Sequence, residues 1–366
     1  MFVHLSGFLE RLGASEALIG VIIGSMSVSA IAIRPLLGAG MDIHGRRLIV
    51  IVGGAFNLLA CAGYLFVDAI GPLVFFIRVL HGIGEASLFS VLFTIAADVV
   101  PAHRRAQGLA IFGVSGLLSL SLGGLLGDWI LAHYDYRTMF GVSTAISALA
   151  LLVAIPLPET KPELLPGQLA RQSIFAVAVQ PSLLPLWVLT FGFTIGITSY
   201  FTFIKTFIAA RAVGSVGGFF AAYSIASVAL RLLFSWVPER FGLKRVLLPA
   251  IGSLAIGLMM LAFAQEASMV VAAGAACGIG HGYVFPIASA MVVTRARAQS
   301  RGLAMTLFTA LFDFGALIGG PLLGLTAEHF GYRPMFNAAA IFVVLLTVWF
   351  YAIDRRVVGE PLAGND

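Results

Sequence analysis

The chain has 366 residues, of which 60% are hydrophobic and only 11% charged, with a mean hydropathy of +1.01. A soluble globular chain carries roughly 25% charged residues, so this composition excludes one and defines a membrane protein. The formal net charge of +5 does not point to nucleic acid, because Lys and Arg lie in short clusters between apolar runs and form no continuous basic face.

Taken in order, Met1 to Leu9 is an apolar stub without the basic start or cleavage site of a signal peptide. Eleven apolar runs follow, at about 18–40, 48–67, 72–97, 107–131, 137–156, 181–205, 214–237, 246–264, 268–293, 302–325 and 334–353. Each is near the ~20 residues that a membrane-spanning helix requires. Alternating ten-residue segments are few, which argues for an all-α membrane bundle and against an outer-membrane barrel. The 41 glycines fit that choice, since they let membrane helices approach closely. Cys61 and Cys277 both fall inside apolar runs and read as small core hydrophobes. Neither a metal nor a cofactor is implied. The one long polar break, Leu157 through Gln180, is rich in Pro and charge and reads as a linker. The expected organisation is an N-terminal half at 1–160, a cytoplasmic linker at 161–180 and a C-terminal half at 181–366.

Alternating spans put Arg46, Arg47, Lys161, Arg240, Lys244, Arg295 and Arg301 on one side and leave few cations, such as Arg137 and Arg333, on the other. The first side is therefore expected to be cytoplasmic, together with the C-terminus. A bacterial inner membrane is the expected location.

Gly38-Ala-Gly-Met-Asp42-Ile-His-Gly45-Arg46-Arg47 is a tight polar knot between the first two runs. Gly45 allows the backbone to reverse with positive φ, and the arginines hold the turn at the anionic face. Asp42 ends a helix at the unfavourable pole of its dipole and needs a cation or another helix's N-terminus. The knot recurs: Arg34, Asp42, Gly45 and Arg47 return 197 residues later as Arg231, Glu239, Gly242 and Lys244. Gly82-Ile-Gly84 matches Gly278-Ile-Gly280, and Tyr136-Arg137-Thr-Met-Phe140 matches Tyr332-Arg333-Pro-Met-Phe336, both at an offset of 196. Such register across charged loops implies two homologous halves of six spans. Run 181–205, the seventh span of such a chain, maps back to positions before residue 9, so most of a first span is expected upstream of residue 1.

Gly38-x-x-x-Asp42-x-x-Gly45-Arg46-Arg47 resembles the loop motif between spans 2 and 3 of the major facilitator superfamily, and Arg78-x-x-His81-Gly82-x-Gly84-x-Ala86 resembles its span-4 motif. The resemblance covers nearly the whole chain. It implies two six-helix halves related by a pseudo-twofold axis along the membrane normal, with spans 1, 4, 7 and 10 lining a substrate path. It also implies a secondary transporter, working as a monomer by alternating access on a small organic solute, proton-coupled and possibly exporting. Ile43 replaces the usual arginine after the aspartate. Span 5 carries Gly113, Gly116, Gly123 and Gly124 but no proline, whereas Gly319-Gly320-Pro321 stands in span 11, so the antiporter motif of drug exporters is not reproduced.

Ionisable groups at membrane depth usually face a cavity or a partner. Arg78, His81 and Glu85 share one face of span 4. Glu85 and its repeat equivalent His281 are expected to approach one cavity from opposite sides, with Asp313 on span 11 and Tyr200 on span 7 near the path. Glu85 is the expected main proton carrier and Asp313 the second. An Arg78–Glu85 ion pair that only joins helices is the bland alternative. The knots containing Asp42 and Glu239, with Arg240 beside the latter, are expected to latch the halves at the cytoplasmic side when the protein opens outward. Two other classes are alternatives: a non-transporting membrane sensor, and an intramembrane protease suggested by Gly113-Val-Ser115-Gly116, which a glycine-rich span produces easily.

Overall fold

The structure, a computed structural model, describes residues 2–101, 105–161, 174–297 and 300–358. A short helix, α1 (Leu5–Arg11), precedes α2 (Glu16–His44), α3 (Arg46–Gly63), α4 (Pro72–Val99), α5 (Arg105–His133) and α6 (Tyr136–Ala154). The second part of the chain holds α7 (Ile174–Ala178), α8 (Leu184–Arg211), α9 (Val216–Leu233), α10 (Val237–Phe241), α11 (Leu243–Ala262), α12 (Ala267–Arg295), α13 (Arg301–Phe330) and α14 (Tyr332–Val358). Among the described residues, eleven helices are long and apolar enough to cross a membrane, and they fall on the eleven apolar runs. Outward-facing Leu, Ile, Val and Phe side chains are left exposed along them, as lipid contact requires.

Local chemistry sets the helix ends. Ser15, Asp135 and Ser215 accept hydrogen bonds from the backbone N–H groups of Leu18, Thr138 and Gly218, which starts α2, α6 and α9. Gly45 and Gly242 separate successive helices at φ of 92° and 90°, a region closed to most L residues, so the two knots turn as read from the sequence. One boundary differs from expectation. The span in run 214–237 ends early: α9 stops at Leu233, since in a continued helix the Pro238 ring would clash with the Phe234 carbonyl, and the short α10 follows. Part of the segment read as linker is also ordered. Val177 of α7 is buried, the Trp187 indole donates to the Ala178 carbonyl at 3.0 Å, and Gln180 donates to Arg295 O at 2.8 Å.

The same packing scheme occurs twice. In the first half α3 lies on α4 and α6, and α2 lies on α4; in the second, α11 lies on α12 and α14, and α9 lies on α12. The halves are joined by α2 against α13 and by α5 against α9, so the fold is a bundle of two pseudo-twofold-related halves. Glycine makes both seams possible. A Cβ on Gly20 would collide with the Gly320 carbonyl, and at the equivalent seam a Cβ on Gly124 would lie 3.3 Å from the Gly217 Cα. Both contacts sit toward the end remote from the basic loops. There Asp128 accepts from Gly217 N at 2.6 Å, Glu328 accepts from Ala17 N at 3.0 Å, and the Tyr332 hydroxyl donates to Glu16. Among the described residues, the basic-loop ion pairs of Arg46 with Asp98 and of Lys244 and Arg295 with Asp354 each lie within one half.

Candidate functional site

Span 4 of the sequence reading is α4, and its charged face is divided between two tasks. Arg78 is fully buried and donates to the carbonyls of Ile22 and Ile23 on α2, at 3.2 and 2.7 Å. Its Nη1 lies 3.5 Å from His81 Nδ1, and the buried His81 ring lies edge-on to Tyr64. Gly82 lets α4 close on the Met26 carbonyl, while Ser29 donates to Val79 O at 2.9 Å. Arg78, His81 and Gly82 thus fasten α4 to α2 inside the first half.

Glu85 lies one turn further on and is different. It is half-buried and makes no hydrogen bond to any described residue. Asp313, Arg34 and Arg78 are the charged groups within electrostatic reach of it. Arg34 of α2 and Asp313 of α13 are themselves buried and joined by a 2.6 Å ion pair, and Arg34 Nη1 also reaches the Thr309 hydroxyl at 3.3 Å. Two carboxyls therefore lie around one guanidinium at the seam between the halves. Arg34 had been read as part of a gating knot; the structure places it at the seam, ten residues before the end of α2.

His281 of α12 is set in the second half among rings. Its Nδ1 meets the Tyr223 hydroxyl, and Phe193 and Phe285 have ring centroids at 5.4 and 6.1 Å. The charged residue within reach of it is Arg231, so Glu85 and His281 lie in different polar clusters. Tyr200 is buried against Tyr223, Phe201 and Phe219, with its hydroxyl beside that of Tyr223 but lacking a hydrogen bond of good geometry. Arg231 comes from α9 and faces α5.

The knot residues divide in the same way. Arg46 is buried and donates to Asp98 at 3.2 Å and to Met41 O at 2.9 Å, while the Arg47 side chain is exposed. Glu159 accepts from the backbone N–H groups of Arg46 and Arg47 at 2.8 and 3.1 Å, capping α3 beside Gly45. Slight burial pushes the Glu159 carboxyl up, and these N–H groups together with those of Lys161 and Thr160 outweigh it, holding the group below the usual carboxylate range. In the second knot Glu239 is exposed, and Arg240 lies over the rings of Trp236 and Phe241 at 5.7 and 5.8 Å, just before Gly242. Gly38 lies within α2, and the side chain of Asp42 lies outside the described residues.

Sequence reasoning missed the Arg34–Asp313 pair, whose members are 279 residues apart. A signal was present: antiparallel α2 and α13 place them at matching depths, and each is the ionisable residue of its run. It also missed Glu159, which it counted as linker charge. Two apolar cavities, of about 430 and 270 Å³, are lined by Val237, Phe241 and Pro249 and by Val50, Asn57 and Leu151; neither touches the charged seam.

Two repeated helical halves meeting across charged side chains at membrane depth define a multi-pass membrane transporter. The profile of the Major Facilitator Superfamily matches residues 2–219 and again 186–366, so the chain belongs to that superfamily. An uncharacterized MFS-type transporter of Burkholderia mallei is 27% identical over 98% of this chain and 89% of its own length. One from Pseudomonas aeruginosa is 27% identical over 96% and 88%. Among solved structures, the nucleoside transporter NupG in a variant form superposes with a TM-score of 0.79 at 16% identity, covering 96% of this chain and 94% of that one. The human organic anion transporter MFSD10 gives 0.70 at 20% identity, covering 91% and 84%. At these identities the likeness is one of fold.

Proposed function

We propose that this protein is a proton-coupled secondary transporter of a small organic solute, working by alternating access, with Glu85 as the principal proton carrier and Asp313 as its partner. The observation that carries this reading is the half-buried Glu85, without a hydrogen bond among the described residues, beside the inter-half Arg34–Asp313 bridge. A neighbouring guanidinium favours a carboxylate, and its withdrawal favours the neutral acid. Arg34 sits on one half and Asp313 on the other, so a rocking of the halves changes which carboxyl the guanidinium serves. That ties protonation to conformation. In this reading the seams at Gly20–Gly320 and Gly124–Gly217 close the outer side, and the basic loops mark the cytoplasmic side and the C-terminus. The knots then latch in the opposite state, which fits the within-half partners of Arg46 and Lys244 here.

The test is Glu85→Gln in reconstituted vesicles. The variant is expected to fold and to exchange solute between equal pools, but to lose uphill uptake driven by a pH gradient. Full gradient-driven accumulation by Glu85→Gln would remove Glu85 from this role, and loss in Asp313→Asn alone would move it to α13.

A further inference from the structure

The two seams are copies of each other, and the repeat shows where they differ. Gly20 against Gly320 corresponds to Gly217 against Gly124, which fixes offsets of 197 between α2 and α9 and of 196 between α5 and α13. In that register Arg34 becomes Arg231 and Glu85 becomes His281. Thr309 and Asp313, the two side chains that hold Arg34, become Gly113 and Leu117. The arginine is kept while both of its partners are removed.

Arg231 is accordingly unmatched. Its Nε is buried without a hydrogen-bond partner, and none of the hydrogen bonds or ion pairs among the described residues includes its guanidinium. Nη1 closes directly over Gly113, where a Cβ would come within 3.1 Å, so the position that offers Arg34 a threonine hydroxyl at the other seam offers Arg231 no side chain. Guanidinium does not give up its proton in proteins, so the charge persists at membrane depth. Two other buried arginines are answered within the protein, Arg34 at the opposite seam by a carboxylate and Arg78 inside the first half by carbonyls. Around Arg231 stand Tyr223 and His281, and the rings of Phe193 and Phe285 continue from His281.

We propose that Arg231 is an anion-binding subsite: its unpartnered guanidinium anchors the negative group of an organic anion, with the apolar body of the solute against the rings around His281. A carboxylate suits the planar fork of the guanidinium. The proposal rests on the reading that an organic solute passes between the halves, and it assigns the chemical class of that solute.

The test uses the purified full chain and three probes, benzoate, its neutral analogue benzamide, and inorganic phosphate, with binding measured by calorimetry in the absence of any pH gradient. Benzoate is expected to bind the unmodified protein at least about tenfold more tightly than benzamide or phosphate, as loss of a hydrogen bond to a charged group implies. Arg231→Gln is expected to lose that preference, and Arg231→Lys to keep part of it. Leu117→Asp keeps the arginine but supplies the carboxylate that the other seam has, so it too should abolish benzoate binding while eluting as a folded, monodisperse species. Benzoate binding that is equal in the unmodified, Arg231→Gln and Leu117→Asp proteins would overturn the proposal, as would phosphate or benzamide binding as well as benzoate. Because no gradient is applied, a failure of proton coupling at Glu85 leaves this result untouched. Gradient-driven uptake of a neutral solute by a protein that ignores benzoate would remove the anion site alone.

Discussion

If Glu85 and Asp313 serve the same guanidinium, removing either one should be tolerated and removing both should not. Asp313→Asn takes away the 2.6 Å partner of Arg34 but leaves Glu85 within electrostatic reach; Glu85→Gln leaves the ion pair intact. Among the described residues, the double variant leaves Arg34 the Thr309 hydroxyl as its side-chain partner. An uncompensated arginine near the bilayer centre costs on the order of 2.5 to 3.5 kcal/mol on insertion scales. In Asp313→Asn a shift of Arg34 toward Glu85 offsets much of that. The coupling energy between the two substitutions should therefore be destabilising and on the order of 1 to 3 kcal/mol. The native thiols provide the assay, because Cys61 and Cys277 are both buried and free and react with a fluorogenic maleimide only as the bundle opens. Thermal unfolding of the four proteins in detergent should show a drop in the double variant well beyond the sum of the single drops. Additivity within about 0.5 kcal/mol would refute the shared-guanidinium reasoning.

Two further outcomes follow from the seam and the first knot. Gly20→Val places a side chain against the Gly320 backbone, which cannot yield as a side chain would; overpacking of about 1 to 3 kcal/mol should push α2 and α13 apart, and spin labels across that end should show a longer distance than in the unmodified protein. An unchanged distance distribution would count against the seam as the closed gate. Glu159→Gln weakens the cap on α3 and should cost about 1 kcal/mol at neutral pH. Because the Glu159 carboxyl is held below its usual range, its contribution is present above the unfolded carboxyl value and is lost as pH falls through the lower folded value. The stability difference between the two proteins should accordingly vanish in acid, and a constant difference down to low pH would be the contrary result.

Much of the fold was legible because its determinants are local. Run length sets a span, and a glycine before Arg46 or Leu243 sets a reversal with positive φ. The repeat then implied that both halves follow one packing scheme, while which helices meet within each half came from the structure. The end of the span at Leu233 was read too late, because apolarity continues through Trp236 and Val237 while the Pro238 ring would clash with the Phe234 carbonyl of a continued helix. At the site, the depth of Glu85, His281 and Asp313 was readable, but their neighbours were not. Which face of α13 meets α2 depends on helix rotation, and that is decided by close-packing at Gly20–Gly320 and by Gly315 and Gly319 lying on Thr194 and Ile195 of α8. Hydropathy carries no trace of such rotation.

The broken symmetry of the two seams has a consequence for energetics. Among the described residues, one seam carries two carboxyls around Arg34 and the other carries Arg231 with none, so the proposed proton and anion sites belong to opposite seams. If one proton on Glu85 moves with one monoanion on Arg231, the mobile charges cancel and the protein's own charges return unchanged after each cycle. Moving one net charge against 100 mV is worth about 2.3 kcal/mol, roughly a fortyfold change in accumulation. A paired proton and monoanion should show none of that. With valinomycin and a potassium gradient imposing about 100 mV across vesicles at equal pH on both sides, benzoate distribution should change less than twofold, whereas a pH gradient alone should drive it toward the alkaline compartment. A shift near fortyfold with potential would mean that a net charge crosses, and the pairing of one proton at Glu85 with one anion at Arg231 would be wrong.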